Sequence, residues 1–150
     1  MVKDILAKKG AFVASIGRDR SVLEAAREMN ARRIGALVVV DGDHVVGIFT
    51  ERDVMTRVVA LQLDPGKTKI EQVMTCPVAC CRLDTSLAEC REVMTSKRIR
   101  HLPVVENNKL VGIVTSGDVL AKEVAEQHQR ISDLQQSIQY LHDYLYGSYR

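Results

Sequence analysis

Two short segments of the chain combine a hydroxyl and a carboxylate at the same spacing. Residues 47–54 read GIFTERDV and residues 112–119 read GIVTSGDV, so the pattern Gly-apolar-apolar-Thr-x-x-Asp-Val occurs twice. The carboxylates of Asp53 and Asp118 each have two acceptor oxygens, which suits the adjacent 2′ and 3′ hydroxyls of a ribose. Both aspartates are therefore candidate contacts to a sugar.

Thr50 and Thr115 precede these carboxylates by three residues, which is also how a helix begins. A threonine at the N-cap with an acidic residue at N3 is a complete local explanation of the pattern. A helix start also offers N–H groups to an anion, so capping and contact of the hydroxyls with ribose or phosphate are compatible. Gly47 and Gly112 indicate either a close approach to the backbone or a β-bulge.

A gapless internal repeat surrounds the two motifs. Residues 13–54 align with residues 78–119 at an offset of 65, with identity at seventeen of forty-two positions. A shorter match, of residues 2–6 with residues 70–74, has an offset of 68, so the loop after it is longer in the first copy. The chain is therefore predicted to use one structural unit twice.

Each copy predicts the element order β-α-β-β-α. A short apolar strand is followed by a Ser-x-x-Glu capping box that opens a helix, then by two apolar runs joined by a turn, and finally by the helix that begins at the motif threonine. The paired segments are the first strands at 11–16 and 78–81, the capping boxes at 21–24 and 86–89, and the hairpins at 37–49 and 102–114.

We therefore predict an α+β fold in which two tandem β-α-β-β-α repeats pack sheet to sheet as a pseudo-twofold pair. A single three-stranded sheet cannot cover its apolar face, whereas two copies can, and their pairing creates one cleft for each Thr-x-x-Asp motif. The predicted boundaries are 1–60 for repeat 1, 61–69 for a linker, 70–121 for repeat 2, and 122–150 for a C-terminal amphipathic helix and short tail.

The C-terminal segment predicts a helix of roughly 25–30 residues, because no Pro or Gly interrupts Asp118 to Tyr146. An apolar stripe at heptad spacing consists of Val124, Ile131, Leu134, Ile138, Leu141 and Leu145, with Gln127 at the missing position. The stripe could lie on the helix's own domain or pack against a dimer partner. Few heptads make a free coiled coil marginal, and we favour packing against a partner in a homodimer.

The composition argues against several classes of protein. Lys and Arg number 21 and Asp and Glu 19, a net charge of +2 that is too balanced to indicate a nucleic-acid partner. No apolar run approaches the roughly 20 residues of a membrane span, and the N-terminal segment is too short and charged for a signal peptide. We therefore expect a cytoplasmic protein with neither a nucleic-acid nor a membrane partner.

The cysteines and histidines do not predict a cross-linked or metal-bound protein. The cysteines are bunched within fifteen positions, whereas a disulfide framework would spread them along the chain. We expect free, mostly buried thiols at Cys76, Cys80, Cys81 and Cys90. Their spacing is poor for zinc and the four histidines are scattered, so no metal is expected.

With this element order, two copies and a motif that closes each of them, the chain resembles a tandem pair of CBS domains, the Bateman module, over about residues 1–121. The segments RIGALVVV at 33–40 and RIRHLPVV at 98–105 also resemble the second-strand signature of that family. The resemblance is to the stand-alone members. It implies a non-catalytic regulatory sensor that binds an adenine nucleotide between its repeats, with AMP as the first candidate and ADP, ATP, NAD or S-adenosylmethionine as others. It also implies a homodimer and a regulated protein as partners.

The resemblance also implies where phosphate would bind. Basic residues at the strand position of Arg100 and His101 often face phosphates in this family, and their counterparts in the first copy are uncharged; the alternative is a solvated strand edge. Arg52 is a further candidate, because its counterpart is a glycine. The basic pairs at 32–33 and 97–98 end helices, where cations are favoured anyway, and are interpreted as mostly structural. These differences between the copies imply two unequal sites.

Adenine needs an apolar slot, which the first strand of either copy could supply. The candidate residues are Phe12, Val13 and Ala14 in the first copy and Pro77, Val78 and Ala79 in the second. A role in the core is the alternative, and both roles are compatible because pockets are walled by core residues.

Two other classes of function stay open at this point. An enzyme would need an acid/base or nucleophile constellation, and no Ser/His/Asp or Cys/His set stands out. A structural protein that dimerises through its C-terminal helix would bind no nucleotide.

Overall fold

The computed structural model describes residues 1–147; residues 148–150 of the predicted tail lie outside them. Two β-sheets and their helices form an α+β fold, which confirms the predicted class. The elements are α1 (Val2–Lys9), β1 (Ser15–Gly17), α2 (Val22–Arg32), β2 (Ala36–Asp41), β3 (His44–Thr50), α3 (Glu51–Asp53, continued by a π-helical segment, Val54–Val59), α4 (Ile70–Val73), α5 (Leu87–Lys97), β4 (His101–Glu106), β5 (Lys109–Thr115) and α6 (Ser116–Tyr146).

The long helix of each repeat begins at its predicted capping box. The Ser21 N–H donates to the Glu24 carboxylate at 2.8 Å, and the Glu24 N–H donates to the Ser21 hydroxyl at 3.2 Å. Ser86 and Glu89 make the same pair of hydrogen bonds, at 2.8 and 3.2 Å. The starts of α2 and α5 are therefore set by local sequence.

The two hairpins have the same register and face each other. β2 pairs antiparallel with β3, β4 pairs antiparallel with β5, and both ladders shift register at the same place, between Val39 and Val40 and between Val104 and Val105. β3 and β5 contact each other, so the two sheets meet along these strands. This is the pseudo-twofold arrangement expected from the repeat.

The second sheet has two strands rather than the predicted three. In the first sheet the Val38 N–H donates to the Ala14 carbonyl at 3.1 Å, next to the parallel pairing of β1 with β2. The residue equivalent to Val38 is Pro103, which has no N–H to donate. In this part of repeat 2, Cys81 alone pairs with β4. Its N–H donates to the Pro103 carbonyl at 2.9 Å, and its carbonyl accepts from the Val105 N–H at 2.9 Å.

The first strand of repeat 1 also differs from its prediction. β1 covers only Ser15–Gly17, whereas a strand over residues 11–16 was expected. Phe12 lies before it with 71% of its surface exposed, and the Arg32 guanidinium lies 5.1 Å from the centre of its ring. The aromatic ring therefore rests at the end of α2 and takes no part in a strand.

The short helix that precedes each repeat packs into the core of the other repeat. α1 contributes Val2, Ile5 and Leu6 to the core cluster that β4, β5 and α5 form. α4 contributes Ile70 and Val73 to the cluster around β2, β3 and α2. This exchange ties the two repeats together through their cores.

The motif glycines make room for this exchange. A Cβ on Gly112 would lie 2.5 Å from a methyl carbon of Leu6, and a Cβ on Gly47 would lie 2.6 Å from the Met74 sulfur and 3.0 Å from the Thr75 carbonyl oxygen. Each glycine also lies opposite the register shift of its hairpin. Both interpretations of these glycines, close approach and bulge, therefore describe the structure.

The C-terminal helix is continuous with the last helix of repeat 2. α6 has 31 residues and begins directly after β5, which confirms the predicted long helix. Its first turns lie against the body of the protein, where Val119 is buried and Glu123 forms an ion pair with Arg91 at 3.2 Å. Within residues 1–147 no helix is both long and apolar enough to cross a membrane.

The expectation of mostly buried cysteines is half wrong. Cys81 and Cys90 are buried, whereas Cys76 and Cys80 are exposed, and all four thiols are free. The exposed pair lies in the segment between α4 and the bridge at Cys81, which forms neither a helix nor a strand. Burial raises the pKa of Cys81 to about 12, so its thiol is protonated and unreactive near neutral pH.

Candidate functional site

A cavity of about 640 Å³ lies between the repeats beside the first Thr-x-x-Asp motif. This volume lies within the range of small-molecule pockets. Repeat 1 contributes Gly35, which precedes β2, and residues of β3 and α3; the rest come from the segment after α4 and from the stretch between the end of α5 and the start of β4. The lining residues are Gly35, Ile48, Thr50, Glu51, Arg52, Asp53, Thr75, Pro77, Val78, Ala79, Lys97, Arg98, Ile99, Arg100 and His101.

Asp53 is held in a fixed orientation at one wall of this cavity. It is 5% exposed, and its Oδ2 accepts a hydrogen bond from the Thr50 N–H at 2.9 Å, which is the predicted cap. Its Oδ1 accepts from the Thr75 hydroxyl at 3.1 Å and lies 3.5 Å from Nε of Arg57. The structure therefore groups one carboxylate with two threonine hydroxyls in the position where the sequence predicted a sugar contact.

The cavity carries an excess of positive charge. The two acidic side chains in its lining are Glu51 and Asp53. Four basic side chains also line it: Arg52, Lys97, Arg98 and Arg100. None of these four forms an ion pair with any carboxylate of residues 1–147, which leaves the lining with a net charge of +2. Unpaired cations in a cleft attract anionic ligands.

Arg52 connects the two repeats at this cavity. It lies in α3, and its guanidinium donates a hydrogen bond to the Arg98 carbonyl at 3.4 Å, at the end of α5. Arg52, Arg98 and Arg100 also line a neighbouring cavity of about 430 Å³, together with Arg91 and Glu123. The three guanidinium groups therefore stand between two depressions of the surface.

His101 lines the cavity and is half-buried. Burial lowers its pKa, and the positive charges of Lys9 and Arg100 lower it further, while Glu51 and Asp118 act in the opposite direction. The imidazole is therefore neutral in the protein near pH 7. The predicted basic pair Arg100–His101 thus supplies one permanent cation and one group that can gain a proton.

The apolar side of the cavity contains one of the two predicted adenine slots. Pro77, Val78 and Ala79 are among its lining residues. Ile48 and Ile99, which the sequence did not single out, are further apolar residues of the lining. The other predicted slot, Phe12, Val13 and Ala14, is not among the lining residues.

The second motif has the same cap but a different neighbour. The Thr115 N–H donates to Oδ2 of Asp118 at 2.8 Å, and the Asp118 N–H donates to the Thr115 hydroxyl at 3.2 Å. The same Oδ2 accepts a 2.6 Å hydrogen bond from the Lys9 ammonium group, which also donates to the Ile113 carbonyl at 3.2 Å. Neither Thr115 nor Asp118 lines the 640 Å³ cavity.

The Lys9 contact favours the ionised form of the second carboxylate. Partial burial alone would raise the pKa of Asp118, but the hydrogen bonds from Lys9 and Thr115 outweigh it and hold that pKa below the ordinary value. Asp118 is therefore ionised and already paired with a cation of its own chain. The two motifs, alike in sequence, present carboxylates with different partners.

Sequence reasoning missed several residues of the cavity and its surroundings. Lys97 and Arg98 were interpreted as structural because they end a helix, but they also line the cavity. The two motifs give no indication of Thr75 or Lys9. The available signal was the match of residues 2–6 with residues 70–74, because Thr75 and Lys9 follow these two segments. Within residues 1–147 no cluster of three His, Cys, Asp or Glu side chains could hold a metal ion.

Comparisons with known proteins agree with this architecture. The CBS-domain family model matches residues 2–60 and again residues 70–124. The CBS domain-containing protein YhcV of Bacillus subtilis (strain 168) is 32% identical over 126 residues, which are 84% of this chain and 87% of YhcV. The Arabidopsis thaliana protein CBSCBSPB5 is 34% identical over 112 residues, or 74% of this chain, which spans only 20% of that longer protein.

A solved structure shows the same fold. The CBS-domain containing protein ATU1752 from Agrobacterium tumefaciens matches with a TM-score of 0.77 at 40% sequence identity, covering 81% of this chain and 98% of that one. Three observations lead to one conclusion. One family model matches twice, the internal repeat packs as a pseudo-twofold pair, and the relatives cover most of the chain. The chain belongs to the CBS-domain family, as a tandem pair of CBS domains with a long C-terminal helix.

Proposed function

We propose that this protein is a non-catalytic sensor that binds an adenine nucleotide, with AMP as the first candidate, in the 640 Å³ cavity between its repeats. Tandem CBS domains are generally regulatory modules for adenosine ligands, which agrees with this function. The observation that carries the proposal is the lining itself, which combines an apolar slot, a carboxylate with two hydroxyls, and four unpaired cations. These are the three surfaces that adenine, ribose and phosphate require.

The ribose would lie against Asp53, Thr50 and Thr75. The Thr75 hydroxyl donates to Oδ1 of Asp53 at 3.1 Å, and a ribose hydroxyl can take over this donation when Thr75 turns to accept or donate elsewhere. Thr50 keeps Oδ2 in place through the helix cap, so the carboxylate does not need to reorganise. Capping and ribose binding would then use the two oxygens of the same carboxylate.

The phosphate would lie among Arg52, Lys97, Arg98 and Arg100. The net charge of the lining is +2, which matches the two negative charges of a fully ionised AMP phosphate. Arg52 belongs to repeat 1 and the other three cations belong to repeat 2. A phosphate held by both sets would favour one relative placement of the repeats, which is how binding could be transmitted as a population shift to a regulated protein.

Lys9 indicates that the second motif does not serve as an equivalent site. Its ammonium group lies 2.6 Å from Oδ2 of Asp118. It therefore occupies a carboxylate oxygen that would otherwise be available to accept a hydrogen bond from a ribose hydroxyl. We therefore propose one nucleotide per chain, bound at the first motif. The contacts of Thr115, Asp118, Phe12, Val13 and Ala14 with a nucleotide stay predictions of the sequence.

The test is isothermal titration calorimetry of the protein with AMP and matched analogues. We expect one AMP per chain, weaker binding of 2′,3′-dideoxy-AMP if Asp53 holds the ribose, and weaker binding of adenosine if the cations hold the phosphate. No heat and no rise in melting temperature with AMP, ADP or ATP would favour the alternative of a purely structural protein. Release of product from bound nucleotide would instead reveal an enzyme.

Binding of AMP should be accompanied by proton uptake at His101. Its pKa is below the ordinary value in the free protein, and a bound phosphate would raise it by favouring the imidazolium form. We therefore expect the affinity for AMP to rise as the pH falls from about 8 to about 7, above the range in which the phosphate itself gains a proton and loses negative charge. Titrations in two buffers of different ionisation enthalpy would measure the protons taken up.

The variant His101→Gln provides the control, because the phosphate of AMP itself titrates near pH 6. Removing the imidazole should remove its share of the proton uptake while the contribution of the phosphate stays. Equal proton uptake by the wild-type protein and His101→Gln would show that His101 does not face the phosphate.

A further inference from the structure

α6 carries an apolar stripe that no other described part of the chain covers. We call it the α6 stripe; its members are Leu120, Val124, Ile131, Leu134, Ile138, Leu141 and Leu145, and they are 41–66% exposed. The stripe follows one side of the helix for about 38 Å, at a rise of about 1.5 Å per residue. A helix that leaves such a stripe in water is marginally stable alone, so the stripe requires a partner.

The types of residue in the stripe specify the kind of partner. Heptad a positions hold Val124, Ile131, Ile138 and Leu145, and d positions hold Leu120, Gln127, Leu134 and Leu141. β-Branched residues at a with leucine at d favour a parallel coiled coil of two strands. We propose that α6 pairs with α6 of a second copy of this chain as a parallel, in-register coiled coil from Leu120 to Leu145, an inference that does not depend on the proposed binding of AMP.

Gln127 favours the parallel orientation. In a parallel, in-register pair it faces Gln127 of the second copy, and the two amides can hydrogen-bond to each other. In the antiparallel pair that overlaps the whole stripe, Gln127 faces Ile138 of the second copy, and its amide is buried without a partner. An unsatisfied buried amide is costly, so the one polar layer selects a single orientation and register.

The charges beside the stripe are compatible with this pairing. The g position of one helix meets the e position of the next heptad in the other, which places Glu123 opposite His128 and Arg130 opposite Gln135. Neither pair brings like charges together. Three acidic residues further along α6 lie on the outside of the pair. They are Glu126 and Asp133, at c positions, and Asp143, at an f position.

The stripe begins where α6 is still held by the body of the protein. Val119 is 3% exposed in the core, whereas Leu120, the next residue, is 62% exposed and begins the stripe. The coiled coil would therefore continue directly from repeat 2 without a flexible joint. A movement of repeat 2 would be passed to the second copy through α6.

Sedimentation equilibrium of the full chain tests the pairing. Leu134→Glu places a charge at a central d layer and should raise the dimer dissociation constant at least about tenfold. Tyr140→Glu, at an outer c position of the same helix and 70% exposed, should leave that constant within about twofold. Because both side chains are exposed, neither change should alter the melting of the CBS repeats.

A cross-link tests the orientation. Gln127→Cys, in a chain whose exposed Cys76 and Cys80 are replaced by serine, should form an interchain disulfide under mild oxidation only if position 127 faces itself. A monomeric wild-type protein, a dimer unaffected by Leu134→Glu, or a dimer that does not cross-link at position 127 would each overturn the proposal. AMP binding is measured separately, so failure of the coiled coil leaves the proposed function standing, and the reverse also holds.

Discussion

Replacing Leu6 with alanine should lower the free energy of unfolding by about 2–5 kcal/mol, the usual cost of truncating a buried leucine. Leu6 is 8% exposed and belongs to the core of the second repeat, although it precedes the first repeat in the sequence. Its methyl groups also fill the space that Gly112 leaves open. The cavity left by the truncation would therefore lie between α1 and β5. Urea unfolding of the two proteins measures this loss.

Hydrogen exchange would show where the loss falls. In Leu6→Ala, protection should decrease in α5, β4 and β5 more than in α2, β2 and β3, because α1 packs on the second core. The matched control is Val73→Ala, which truncates a buried side chain of α4 in the core of the first repeat. It should lower protection in α2, β2 and β3 more than in α5, β4 and β5. A loss of protection confined to repeat 1 in Leu6→Ala would contradict the exchange of helices.

Asp53→Asn should weaken AMP binding by about 10–100-fold, equivalent to roughly 1.4–2.8 kcal/mol. The amide has nearly the shape of the carboxylate and keeps one acceptor oxygen for the Thr50 cap. Its other end becomes a donor, so it cannot accept a hydrogen bond from a ribose hydroxyl. Hydrogen bonds to charged groups are worth about 1.5–3 kcal/mol, which sets the size of the effect. Calorimetry with AMP gives the affinity directly.

The repeat itself supplies the control for this variant. Asp118→Asn makes the same change at the second motif, where Lys9 already bonds the carboxylate at 2.6 Å, and should change AMP affinity by no more than about twofold. The Asp53 variant also loses its charge pairing with Arg57, so its melting temperature must be measured first and binding studied well below it. Equal losses in both variants would show that the two clefts bind alike.

Local sequence determined where the capped helices begin and where the two hairpins lie. The capping boxes at Ser21 and Ser86 and the threonine caps at Thr50 and Thr115 begin helices as predicted, because each cap is a contact between residues three apart. The hairpins and the long C-terminal helix were likewise predicted from short-range patterns. The one strand lost from the second sheet traces to Pro103, whose missing N–H can also be recognised in the sequence.

The repeat determined the family and the location of the candidate site. Two copies of one motif at an offset of 65 predict two clefts, and the structure has a cavity at the first of them that brings together Thr50 and Asp53 with Arg52, Arg100 and His101. The predicted slot at 77–79 lies in the same cavity. These residues are distant in the sequence, and the symmetry of the repeat is what relates them.

Only the tertiary structure decided what makes the two clefts different. The alignment at an offset of 65 treats Asp53 and Asp118 as equals, but the packing of α1 on the second repeat carries Lys9 to Asp118, over a sequence separation of 109 residues. The matching segment after α4 instead brings the Thr75 hydroxyl to Asp53. A sequence motif shows which chemical groups the chain contains. Which cation or hydroxyl contacts each carboxylate is decided by the exchange of α1 and α4 between the repeats, because that exchange depends on how the two cores pack.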